Sequence, residues 1–218
     1  EAMDILNYII DNWGLIATRT GEHVAIVGVA VALAIATGVP IGVAITQNRR
    51  VADAVLYVAS IMINIPSIAL FGMMIPVLSL IGHGIGYLPA VIAVLLYSQL
   101  PIIRNTYASL SNIDPALREA ARGMGLTRMQ RLCEVELPIA VPVIMAGVRV
   151  AVVMNIGVTA IATYIGAGGL GAFIARGISQ TDPRQLVTGA LAVSILAVVA
   201  DLALLGLQKR LTSPGLRK

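Results

Sequence analysis

Charge is scarce in this chain. Only 12% of its 218 residues are Asp, Glu, Lys or Arg, where a soluble domain carries about one-quarter. Apolar residues make up 58% and the mean hydropathy is +0.90. The apolar surplus is gathered in long runs, which makes the chain an integral membrane protein and not a soluble domain. Aromatics are also few, at 4%, while Gly, Ala, Val, Ile and Leu abound, as in transmembrane helices whose small residues let backbones approach. The length of the runs and their weak alternation exclude an outer-membrane barrel. Cys133 is the single cysteine, so there is no internal disulfide framework. His23 and His83 are isolated, one expected at an interface and one in a loop, and neither has a metal-ligand companion. With no H-E-x-x-H and no G-x-S-x-G, an intramembrane enzyme has nothing to work with, so no catalytic and no metal-binding residue is nominated. A net charge of +4 without a basic stripe and interleaved aromatics gives no nucleic-acid signature.

The runs that are present divide the chain. Residues 3–20 read as one amphipathic interfacial helix in which Ile5, Ile9 and Trp13 recur at helical spacing. The chain opens Glu1-Ala2, with Met3 as a candidate start, and no basic stretch precedes the first apolar run, so that run reads as a retained span. Spans are expected at about 23–46, 52–81, 88–103, 138–164 and 186–207. Pro66 and Pro76 mark the second as kinked or broken. These bounds give an interfacial helix over 1–20, a transmembrane domain over 21–211 and a cytosolic tail over 212–218.

Charge bias orients the spans. One set of loops holds Arg49, Arg50, Arg104, Arg118, Arg122, Arg128, Arg131, Lys209, Arg210, Arg217 and Lys218; the other holds only Arg19, Arg176 and Arg184. The positive-inside rule therefore places the polar segment 104–136 and the C-terminus in the cytosol and the N-terminus outside. Cys133 then lies on the reducing side. Arg149 and Asp201 fall inside spans, near enough to the cytosolic face to pair or snorkel, and a structural role is expected of both. The glycines at 166, 168, 169 and 171 read as a re-entrant turn on the outer side and not as a phosphate cradle.

Within the polar segment lies EAARGMGLTRMQRLCEVELP, residues 119–138. Asp114-Pro115 is a cap followed by proline at the first helical position. Gly123 and Gly125 end that helix, and Thr127 with Gln130 reads as a capping box opening a second short one. Pro138 is expected to enter the next span. Two short helices with a glycine elbow make a docking knob. A loop resting its arginines on anionic lipid is the plainer alternative, and the arginines can do both.

The spacing Glu119-Ala120-Ala121, Gly125, Val135, Leu137-Pro138 resembles the EAA loop of bacterial ABC importer permeases, with Val135 in place of isoleucine as its departure. Similar stretches at 65–76, 84–110, 114–125 and 165–171 resemble the osmoprotectant branch, which imports glycine betaine, carnitine, choline or proline-type solutes, and methionine-type permeases share part of the pattern. The resemblance implies an all-α polytopic fold of the MetI-like, type I importer kind, with about five transmembrane helices and a cytosolic coupling helix. It also implies a cell inner-membrane location, cytosolic ABC ATPase partners, a second permease subunit and an extracytoplasmic solute-binding protein. Glu119, Ala120, Ala121, Gly125, Leu137 and Pro138 would be the ATPase-coupling residues. The chain would be a transport subunit and no enzyme, holding no cofactor of its own; it lacks a G-x4-GK[ST] loop, so ATP would sit on the partner. An ion-driven secondary transporter is the rival class, and the absence of evident repeats counts against it.

Two polar sets lie within spans: Ser60, Asn64 and Ser67, and Asn155, Thr159 and Thr163. Each reads as a stripe on one helical face. Interhelical hydrogen bonding at about 0.6 kcal/mol each and the lining of a solute path fit them equally well.

Overall fold

The computed structural model describes residues 2–212, which are helical apart from short connections. The basic end, with Arg217 and Lys218, lies outside the described residues, as does Glu1. Ten α-helices follow in order: α1 Ala2–Asp11, α2 Trp13–Ala44, α3 Arg49–Asn64, α4 Ser67–Ser79, α5 Tyr87–Ser111, α6 Pro115–Gly123, α7 Arg128–Arg131, α8 Leu137–Ile161, α9 Gly171–Ser179 and α10 Pro183–Leu211. Four continuous helical segments are long and apolar enough to cross a membrane: Trp13–Gln47, Tyr87–Ser111, Arg128–Ile165 and Pro183–Leu211. The pair α3 and α4, bent by 97°, supplies a fifth crossing if counted as one span.

Residues 3–20 do not form one helix. The chain breaks at Asn12, whose side chain donates to Tyr8 O at 2.9 Å, a local bond of the kind by which asparagine competes with the helix. Beyond Asn12 the expected interfacial helix becomes the start of α2. Ile9, with Tyr8, packs inward beside Ile16, Leu170 and Phe173. The exposed apolar stripe is Met3, Leu6, Ile10 and Trp13. At the other end of α2 a 3-10 turn, Ile45–Gln47, leads to Asn48, whose side chain caps α3 by accepting from Arg50 N and Val51 N. Asp182 caps α10 in the same way, accepting from Arg184 N at 3.0 Å. The Arg184 guanidinium also bonds its carboxyl and holds it down at about 2.

α5 is the central post, packed by α2, α3, α4 and α8. α10 shows its apolar residues to the outside, among them Ile195, Val198 and Leu202. Small residues set the closest crossings. On α2, a Cβ at Gly42 would stand 2.6 Å from Thr106 Cβ of α5. α5 and α8 meet at Gly147.

The second span is broken as its prolines imply, but the break undoes the reading of Ser60, Asn64 and Ser67 as one face. Ser60 and Asn64 are on α3, and Ser67 opens α4 across a 97° bend. The carbonyl of Ile65, freed at the break, accepts from the Tyr97 hydroxyl of α5. Such a junction at membrane depth is tolerated where protein or a water-filled path covers it.

Arg149 and Asp201 are paired, as expected of intramembrane ions. The guanidinium meets both carboxylate oxygens at 2.9 Å. Gln208 extends the link, accepting from Arg149 at 3.3 Å and donating to Pro142 O at 3.0 Å.

Candidate functional site: the elbow and the buried polar cluster

The elbow between α6 and α7 follows local rules. Asp114 accepts from Ala116 N at 2.9 Å and Pro115 takes the first helical position. α6 ends at Gly123, and Gly125, at φ +80°, turns the chain, a conformation that costs glycine little. Thr127 and Gln130 form the reciprocal capping box. The second short helix, however, does not stop before the span. α7 runs through a widened turn, Leu132–Glu136, straight into α8, with Leu137 N bonding back to Leu132 O, five residues earlier. Pro138 is the physical reason. It has no N–H to give residue 134, and in α geometry its ring would strike that carbonyl. The π turn absorbs the misfit without ending the helix.

The motif residues separate into two groups. Glu119, Ala120 and Gly125 are exposed. Ala121 is buried. Leu137 packs against the cluster of Leu110, Ile113, Ala140 and Ile144, and Pro138 is half-buried. Ala121 therefore lies on the inner side of the elbow, and Leu137 ties the start of α8 to the body. Leu117, Met124 and Met129 are exposed around the elbow. Arg122, Arg128 and Arg131 line a polar cleft of about 480 Å³ beside Thr46 and Gln47, the cytosolic end of α2 in the orientation the loop charges predict.

Deeper in, Asn155 and Thr159 are fully buried on α8 and Thr163 is half-buried beyond its end. Asn155 Nδ2 donates to Ser98 Oγ of α5 at 2.8 Å, and Ser98 donates to Val94 O. Asn155 Oδ1 and Thr159 Oγ1 have no hydrogen-bond partner among the described residues. Leaving a buried polar atom unpaired costs about 1–3 kcal/mol, and the Ser98 bond satisfies neither of these oxygens. Ser60 and Asn64 bond only locally, to Tyr57 O and Ser60 O, and Asn64 is exposed. Thus no hydrogen bond joins the two expected stripes among the described residues. Ser98 and Tyr97, which sequence reasoning passed over, stand between them: Ser98 holds Asn155 and its neighbour Tyr97 holds the break. The polar run Tyr97-Ser98-Gln99 inside an apolar span was the available signal.

On the opposite end, His23 is buried inside the protein. Its Nδ1 accepts from Leu170 N at 3.2 Å and its Nε2 donates to Ile156 O at 2.9 Å, an assignment of the ring proton made from its partners. Glu22 accepts from Gly169 N at 2.8 Å and from Arg19 at the same distance. The glycine turn does cradle an oxygen, but it is the chain's own carboxylate. Gly168 takes φ +80°, a conformation that favours glycine, and a Cβ there would stand 2.4 Å from that carboxylate and displace it.

Membrane-crossing helices, a break at depth and a motif-bearing elbow at one end define a transport subunit of the bilayer. The chain belongs to the family of binding-protein-dependent transport system inner membrane components, whose model matches residues 30–213. It is 55% identical over 215 residues to the osmoprotectant import permease protein OsmW of Salmonella typhimurium, covering 99% of this chain and 100% of that one. It is 37% identical to the glycine betaine/carnitine/choline transport system permease protein OpuCB of Bacillus subtilis, covering 98% and 96%. Among solved structures it is similar to an inward-facing methionine ABC transporter, with a TM-score of 0.81 at 27% identity, covering 92% of this chain and 98% of that one.

Proposed function

We propose that this chain is the permease subunit of an ATP-binding cassette importer for an osmoprotectant of the glycine betaine, choline or carnitine type. A binding protein would deliver the solute, and a separate cytosolic ATPase would drive its passage between two permease subunits. The observation that carries the reading is the elbow, which presents Glu119, Ala120, Met124 and Gly125 from the base of α8. Names of the relatives support the solute class. Reconstitution with the ATPase and binding protein in proteoliposomes tests it: ATP-dependent uptake of labelled glycine betaine, choline or carnitine is expected. Uptake of methionine instead, or of none of these, would overturn the solute assignment.

The path is proposed to run past the break at Ile65-Pro66 and the Ser98–Asn155–Thr159 cluster, with Ser60, Asn64, Ser67 and Thr163 as further lining. Uncharged polar groups suit a zwitterion or quaternary cation that must pass without sticking. The unpaired Asn155 Oδ1 and Thr159 Oγ1 would meet water or solute when the subunits part. Asn155→Leu is expected to lower uptake about tenfold, an effect of roughly 1.4 kcal/mol, with little change in melting temperature. A fall in melting temperature with unchanged uptake per folded complex would make the cluster glue alone.

The orientation is also testable. Asn112 is exposed in the turn before α6, so in a Cys133→Ser background Asn112→Cys should react with an impermeant maleimide in inverted vesicles only. Reaction from outside intact cells would reverse the topology.

A further inference from the structure

Glu136 stands where four elements meet. Its Oε1 accepts from Arg131 Nε of α7 at 2.8 Å. Arg118 Nε of α6 lies 3.2 Å from the same oxygen. That second contact is an ion pair off the hydrogen-bond direction, since this nitrogen has no hydrogen-bond partner among the described residues. Arg118 also donates from its other arm to Leu110 O, in the last turn of α5, at 2.6 Å. Glu136 itself closes the widened turn and leads into α8. Its side chain is only 9% exposed. The motif pattern leaves this position open, so nothing in the resemblance assigns it a role.

We infer that Glu136 is the positioning residue that transmits movement of the elbow to α5 and α8, an inference that rests on the elbow being the ATPase contact. α6 packs chiefly on α7 and has little direct packing on the spanning helices. On its Leu117 side a cleft of about 320 Å³ separates it from α5 and α8, between Asn112, Ile139 and Val143. A push on α6 therefore reaches the spans through few contacts, of which the Arg118–Glu136 ion pair and the Arg118–Leu110 hydrogen bond are the polar ones. The π turn next to them is a weak place in the helix, where α7 would pivot on α8 if nothing braced it. A nearly buried ion cluster is a poor device for stability, since apolar side chains of the same size often hold as well. Its use lies in fixing one geometry: a single carboxylate orients two guanidiniums from two helices. Both sides of the coupling then bias one discrete arrangement, which is the physical requirement for carrying energy between sites.

The test uses the reconstituted complex of permease, ATPase and binding protein. Glu136→Gln is expected to leave the complex assembled and to lower solute taken up per ATP hydrolysed about tenfold. Glu136→Asp, which keeps the charge, should recover part of that loss. Spin labels at Ala116→Cys and Val150→Cys, in a Cys133→Ser background, report whether α6 and α8 move together. Their distance distribution should stay narrow in the parent protein with and without trapped nucleotide and broaden in Glu136→Gln. If Glu136→Gln does not fold, Arg118→Lys, at a side chain 32% exposed, makes the same comparison. An unchanged ratio of uptake to hydrolysis, or a narrow label distance in the variants, would overturn the inference. Failure of the parent complex to couple at all would instead overturn the proposed function.

Discussion

Gly147→Leu should abolish the folded subunit. Gly147 lies on α8 where it crosses α5, and a Cβ there would stand 2.6 Å from Pro101 O and 2.7 Å from Asn105 Cβ. The nearest atom is backbone, in the interior of a helix, and it already accepts Asn105 Nδ2 at 2.7 Å. Neither can move aside without shifting α5, the helix on which most others pack. Overpacking by even a methyl group costs about 1–3 kcal/mol in a close-packed core, so Gly147→Ala should already lower the melting temperature in detergent. Leucine should leave no monodisperse protein. Gly157 is the control, on the same helix with nothing within 4 Å of its Cβ position. Gly157→Ala should be neutral or stabilising, since alanine gains up to about 1 kcal/mol in helix propensity. Equal effects at the two positions would show that α5 and α8 do not meet as closely as described.

Gly125→Trp is expected to leave insertion and folding nearly intact while lowering solute-stimulated ATP hydrolysis about tenfold or more, within the usual range of coupling energies. In the subunit itself nothing lies within 4 Å of a Cβ at Gly125, so added bulk there points away from the subunit's own close packing. Backbone strain is the competing cause, because φ is +80° and a side chain in that region costs about 1–2 kcal/mol. Gly125→Asn separates the two, since asparagine tolerates this conformation and is small. It should retain most of the activity and the copurified ATPase that tryptophan loses. Normal coupling with tryptophan would remove Gly125 from the partner surface, and equal loss in both variants would assign the effect to strain.

How much was legible beforehand follows the range of the interactions involved. The caps at Asp114-Pro115 and Thr127–Gln130 are bonds between residues two or three apart, so their letters suffice. The interruption of the second span was legible from Pro66 for the same reason. Its 97° angle was not, because that depends on what α3 and α4 pack against. Pro138 shows the limit even of a local rule. Proline removes one N–H, but whether the chain stops or widens by a residue depends on whether the continuing helix is held. Here Leu137 and Ile139 join the core at the base of α5, and the helix continues.

What the sequence by itself determined is the class of molecule: greasy spans of bilayer length, the sign of each loop and the motif at the elbow. Each of these depends on composition or on spacing along the chain, and the solvent reads both without reference to distant residues. The tertiary structure alone decided which polar groups act together. His23 meets Leu170 across 147 positions, Asn155 meets Ser98 across 57, and Arg149 meets Asp201 across 52. It also decided that Ala121 faces inward while Gly125 faces out, and that Glu136 joins α6 and α7 to α8. Hydrocarbon offers no water to satisfy a polar group, and which partner such a group finds within the protein is set by how the helices cross, a property no single segment contains.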